Sequence, residues 1–224
     1  MQQSNDVPQP DSTPSEMEET SFAQRQEAAR LEALADAWLG GEISGDLGAD
    51  ERTDAAAVEA LMQELIAPTA PLQPEHLLAL SDLSRRDAAI VQRDWPLIPT
   101  ERRRAAVAYL VELAEDDLHL ELGRILRIAL HDDDADVRRD AVRGLWEDIS
   151  ADLVGPLLHL LNSDTDLRVR EVTAEILGAY VLAGEIDEFD DALAFRIEEA
   201  LLAVITDENA PLHVRRRALE SMAY

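Results

Sequence analysis

The chain has 224 residues, room for one or two domains with a sizeable core. It carries 47 acidic residues against 20 basic ones, a formal charge of −27; such a surface repels phosphate backbones and anionic lipid, so neither nucleic acid nor membrane is an expected partner. There is no cysteine, which excludes disulfides and thiolate metal sites, and hydrophobic residues at 46 % with aromatics at 4 % suit helices packed by Leu, Ala, Val and Ile.

No apolar run approaches the roughly 18–20 residues of a membrane span. The N-terminus lacks the basic and apolar regions of a signal peptide, so a cytoplasmic protein is expected. Every basic residue is Arg. Coding bias and adaptation to high salt both account for that, and the sequence leaves the choice open.

Residues 1–20 are rich in Gln, Ser, Pro and Glu, and Pro8, Pro10 and Pro14 forbid a continuous helix. They read as a disordered acidic tail. From Ser21 the pattern turns helical, with Phe22, Leu31, Leu34, Trp38 and Leu39 able to share a stripe and Gly40-Gly41 to stop it. Ser44 to Thr53 reads as a linker. Val58, Leu61, Met62, Leu65 and Ile66 have helical spacing. Pro68, Pro71 and Pro74 then break the chain, which places an N-terminal helical segment with linkers at 21–73 and a helical array at 74–224. The N-terminal helices could cap the array, dock elsewhere, or fold onto its groove as a tethered inhibitor.

Beyond Pro74 helix follows helix. Short segments are expected at Leu77–Leu83 and Asp87–Arg93, before Trp95-Pro96. Longer ones follow from Thr100 to about Ala114, Leu120 to Leu130, and Asp136 to Glu147. Pro156 suits the first turn of the next, ending near Asn162. Asp166 opens one reaching about Ala183, Asp190-Asp191 another reaching Thr206, and the last runs from about Pro211 to Tyr224.

Within this array one pattern returns. It reads Val137-Arg138 through Ala141 to Leu145, Val169-Arg170 through Thr173 to Leu177, and Val214-Arg215 through Ala218 to Met222, with a blurred copy from Arg102 through Ala106 to Leu110. The small residues Ala106, Ala141, Thr173 and Ala218 fall at steps of 35, 32 and 45 residues. Periods in this range mark stacked helical repeats. The Val, the small residue four on and the Leu or Met eight on make one stripe, and no repeat can bury that stripe alone. The long third step suggests an insertion at about Gly184 to Asp191.

Asp134-x-Asp136-Val137-Arg138-x-x-Ala141-x-x-x-Leu145 resembles the HEAT repeat, most closely the phycobilisome-lyase-like bacterial subset. The resemblance covers about Pro74 to Tyr224. It implies an all-α, armadillo-like right-handed α-solenoid of antiparallel helix pairs, and a non-enzymatic scaffold whose concave face binds a protein. An accessory subunit of a pigment- or cofactor-attaching lyase is the other reading. Some HEAT proteins are di-iron hydroxylases with repeated His-Glu pairs; here no such dipeptide occurs, and His119-Leu120-Glu121 is the nearest approach. Neither a catalytic residue nor a cofactor is expected.

Four residues are candidates for partner binding. Stacking would align Arg138, Arg170 and Arg215 into a ladder that grips carboxylates or phosphates, or that pairs with Asp in adjacent turns such as Asp136 or Asp166. Trp146 stands where its counterparts are Gly178 and Ala223, and either fills a gap between repeats or stands exposed as an anchor. Asp132, Asp134 and Asp136 mimic the start of a calcium loop, but Val137 and Arg143 fall where Gly and Glu are required, so a capping turn is expected. Because Leu212, Ala218, Leu219 and Met222 close the sequence mid-repeat, self-association through that end, or a longer array, is also expected.

Overall fold

The computed structural model describes residues 55–67, 71–116 and 119–223. The expected tail, the helix from Ser21 to Leu39 with Trp38, and the 44–53 linker lie outside these residues. Among the described residues the chain is all-α, with no strand. The helices are α1 (Ala55–Ile66), α2 (Arg85–Asp94), α3 (Thr100–Asp116), α4 (Gly123–Ala129), α5 (Ala135–Gly144), α6 (Val154–Ser163), α7 (Leu167–Glu185), α8 (Asp191–Thr206) and α9 (Leu212–Ser221). Short 3₁₀ segments sit at Pro74–Leu80, Trp95–Leu97 and Ala151–Leu153.

Local chemistry sets the starts. Asp134 accepts from the amides of Asp136 and Val137, Asp166 from Arg168 and Asp190 from Leu193, so three helix N-termini each gain an acceptor for amides that have none within the helix. Ser84 does the same for α2 through Asp87 N, while its hydroxyl donates to the Asp87 carboxylate at 2.8 Å.

The helices stack in two layers. Helices α3, α5, α7 and α9 pack neighbour on neighbour in the first, while α2 meets α4 and α6 meets α8 in the second. Helix α4 packs on α5, α6 on α7, and α8 on both α7 and α9. First-layer helices all run the same way. Arg138, near the start of α5, reaches Asp164 just before α7, and Tyr180, late in α7, bonds the carbonyl of Asp148 beyond α5. Arg217 of α9 faces Glu175 of α7, one turn before Gly178 meets Ser221.

The repeat stripe is the seam between these helices. Ala106, Ala141, Thr173 and Ala218 are all fully buried, as are Val137, Val169 and Val214. Thr173 fits because its hydroxyl donates to the Val169 carbonyl at 2.8 Å, which satisfies a polar group that burial would otherwise penalise. Small residues also set the approach of neighbouring helices, within the first layer and between the layers. A Cβ on Gly178 would lie 2.9 Å from the backbone oxygen of Ser221, and one on Gly184 would lie 2.5 Å from Ala194 Cβ.

The long third step is not an inserted connection. The turn between α7 and α8 is short; the extra residues lengthen the helices themselves, α7 to 19 residues against 10 in α5, and α8 to 16 against 10 in α6. Helix α1 buries Val58, Leu61, Met62 and Leu65 against α2 and the Pro74–Leu80 segment, in the same core.

Candidate functional site

Because first-layer helices are parallel, the array has two unlike edges. One carries the turns that enter α5, α7 and α9; the other carries the turns that leave α5 and α7.

The entry edge is stapled. Arg103, Arg138, Arg170 and Arg215 are equivalent, and each donates to a carbonyl in the preceding turn. The acceptors are Ile98 O at 2.7 Å, Asp132 O at 2.7 Å, Leu161 O at 2.8 Å and Ile205 O at 2.9 Å. Carbonyls at helix ends lack intrahelical donors, and a cation there also opposes the helix dipole favourably. Two of these arginines also reach across to the next repeat. Arg138 holds Asp164 through Nε at 2.7 Å and Nη2 at 2.8 Å, with the Asp164 side chain only 2 % exposed. Arg103 pairs with Asp132, which further accepts from Trp95 Nε1 at 2.6 Å and from the amide of Asp134. Asn209 stands where a third such Asp would be, and Arg170 stops at its carbonyl.

The three ladder candidates Arg138, Arg170 and Arg215 therefore all sit on one edge, engaged with the turns. The acidic partner of Arg138 is Asp164, not Asp136 or Asp166. Those two instead face Arg168, at 2.9 Å and 2.8 Å. The sequence signal for the true partner is the Asp six residues before the next repeat's Arg: Asp132, before Arg138, for Arg103, and Asp164, before Arg170, for Arg138.

Electrostatics follow the geometry. Hydrogen bonding from Arg104 holds Asp134 down at about 2, with the amides of Val137 and Asp136 adding to it. The Arg168 hydrogen bond lowers Asp166 in the same way, and the Asp164 hydrogen bond raises Arg138. The carboxylates of the calcium-like loop are thus occupied by guanidiniums and amides, as a capping turn requires.

The exit edge is built differently. Helix α5 stops at Gly144, whereas α7 runs on to Glu185. Trp146, which the repeat spacing aligns with the interhelical Gly178, therefore lies past the end of its helix and does not fill a gap between repeats. It is 60 % exposed. Ile149 in the same turn, and Leu182 and Ile186 at the end of α7, are exposed as well. Tyr180 ties the two turns together: its hydroxyl donates to Asp148 O at 2.8 Å, and Phe189 packs edge-on against its ring at 5.2 Å. Burial, with the nearby Asp148 carboxylate, pushes the Tyr180 phenol up, so it stays a neutral donor. Arg127 meets Asp148 at 2.6 Å and Asp152 at 3.0 Å on this edge. The exposed Glu185, Asp187, Glu188 and Asp191 lie in a stretch with no basic residue between Arg170 and Arg196.

The histidines do not form one cluster. His76 pairs with Glu64 at 2.8 Å and His213 lies 3.6 Å from Glu171, while His131, exposed at its surface but partly desolvated, is lowered by that desolvation and by the nearby His159. Among the described residues no group of His, Cys, Asp and Glu is placed to hold a metal, and no helix is long and apolar enough to cross a membrane.

No curated protein matches the chain. A family model described as HEAT repeats matches residues 124–195, about a third of the chain, from α4 into the first turn of α8. The stretch takes in Arg138, Trp146 and Arg170. The stacked helical hairpins, the Val-Arg spacing and this match together support a HEAT-repeat protein.

Proposed function

We propose that the chain is a non-enzymatic scaffold that binds a protein partner. The observation that carries this reading is Trp146, a large aromatic left 60 % exposed at the rim of a well-packed array. Tryptophan is enriched at interface hot spots because one side chain removes much apolar area from water on binding. The resemblance pointed to the concave face; Trp146 favours a contact that includes the exit edge. The closer likeness to the phycobilisome-lyase-like subset rests on the Asp134 to Leu145 signature alone, and the accessory-subunit reading stands second.

The test is affinity capture with quantitative mass spectrometry, comparing the full chain with Trp146→Ala. A specific protein enriched by the first and depleted with the second supports the scaffold. Turnover of a small molecule without any captured partner overturns it.

A further inference from the structure

Resting on the protein-binding reading, we infer that the exit edge is a docking surface for a basic, amphipathic protein segment. The apolar component is Trp146 and Ile149 in one turn and Leu182 and Ile186 beside the next, tied together through Tyr180. The charge around it selects the occupant.

On the entry edge the carboxylates that line the turns before α5 and α7 are answered, exposed Asp133 apart. Asp132, Asp134, Asp136, Asp164 and Asp166 all lie within ion-pair distance of an arginine. On the exit edge Arg127 answers Asp148 and Asp152 in the turn after α5, but the turn after α7 is different. From Glu185 to Asp191 the chain carries five carboxylates and no cation, and the exposed Glu147 stands next to Trp146. Glu171 and Glu175, earlier in α7, at least face His213 and Arg217 of α9. Five carboxylates crowded beside exposed apolar side chains repel one another, and a cationic segment relieves that repulsion while its apolar side covers Trp146. The other occupants fail on charge. A second copy brings another −27, and nucleic acid and anionic bilayers bring further negative charge.

The probe is a short fluorescent helical peptide with Leu and Trp on one face and Arg on the other. A counterpart keeps the apolar face and carries Glu for Arg. Anisotropy with the full chain should show binding of the basic peptide, weakening steeply as salt rises, and none of the acidic one. Trp146→Ala combined with Ile186→Ser should weaken binding by at least about tenfold, because both contacts are at the surface and the fold does not need them. Asp187→Asn with Glu188→Gln should remove much of the salt dependence. Leu212→Ser, on α9, should change nothing. Equal affinity for the double apolar variant would mean diffuse attraction to an acidic protein and would overturn the inference, as would equal binding of the acidic peptide. A natural partner captured through Trp146 while the basic peptide fails would sink this inference alone and leave the scaffold reading intact.

Discussion

Arg138 holds Asp164 across the boundary between two stacked repeats, with Nε 2.7 Å from one carboxylate oxygen and Nη2 2.8 Å from the other, while its Nη1 donates to the Asp132 carbonyl of its own turn. One side chain thus closes the turn before α5 and fixes where the turn before α7 lies. Arg103 does the same one repeat earlier with Ile98 O and Asp132. Register between repeats is set on this edge by charge and hydrogen bonds, and in the seam by small residues.

The seam gives the first prediction. Ala141 is fully buried between first-layer helices, so Ala141→Leu has no room and should cost about 1–3 kcal/mol by overpacking. Asp133 is exposed in the preceding turn, and Asp133→Ala should stay within about 0.5 kcal/mol. Chemical denaturation of the two variants checks the contrast; equal losses would mean that the seam is elsewhere.

That seam was legible in the sequence. Steps of 35, 32 and 45 residues located Ala106, Ala141, Thr173 and Ala218, because a stripe that must be buried repeats with the helix pair. The recurrence of Arg138, Arg170 and Arg215 was legible too, but their acceptors were not. Leu161 O and Ile205 O are backbone atoms, and backbone geometry leaves no mark in residue type. Trp146 was ambiguous for a related reason. Alignment assumes helices of equal length, and α5 ends before the aligned position while α7 runs through it. The exit edge as a unit stayed hidden because it joins turns from two repeats through Tyr180, a long-range contact.

Stability should depend on pH through the entry-edge carboxylates. Asp134 is held at about 2 when folded, from an ordinary value of 3.8. A depressed folded value means that the stabilisation is fully present above the unfolded value and is lost as pH falls through the folded one. With Arg104→Leu, which removes the main cause, the stability difference from the parent should be largest above about pH 5 and shrink toward pH 2. Denaturant midpoints across that range measure it. A difference that grows on acidification would show that Arg104 acts by some other route.

Helix α9 leaves Leu212 78 % and Leu219 57 % exposed. An apolar face of this kind favours association between copies, opposed by their shared charge. We expect weak self-association that strengthens with salt and is abolished by Leu212→Glu with Leu219→Glu. Sedimentation velocity at low and high salt is the measurement. A monomer under both conditions would dismiss this interface.

The central claim is a division of labour, in which the entry edge holds the array together and the exit edge is left available for recognition. Thermal melting of Arg138→Met against Trp146→Ala tests it most directly. Removing Arg138 strands a buried carboxylate at Asp164, which should cost about 3–5 kcal/mol and lower Tm by about 6–20 °C. Removing the exposed Trp146 should move Tm by no more than about 2 °C. A Trp146→Ala variant that melts as early as Arg138→Met would make Trp146 part of the frame and contradict the account.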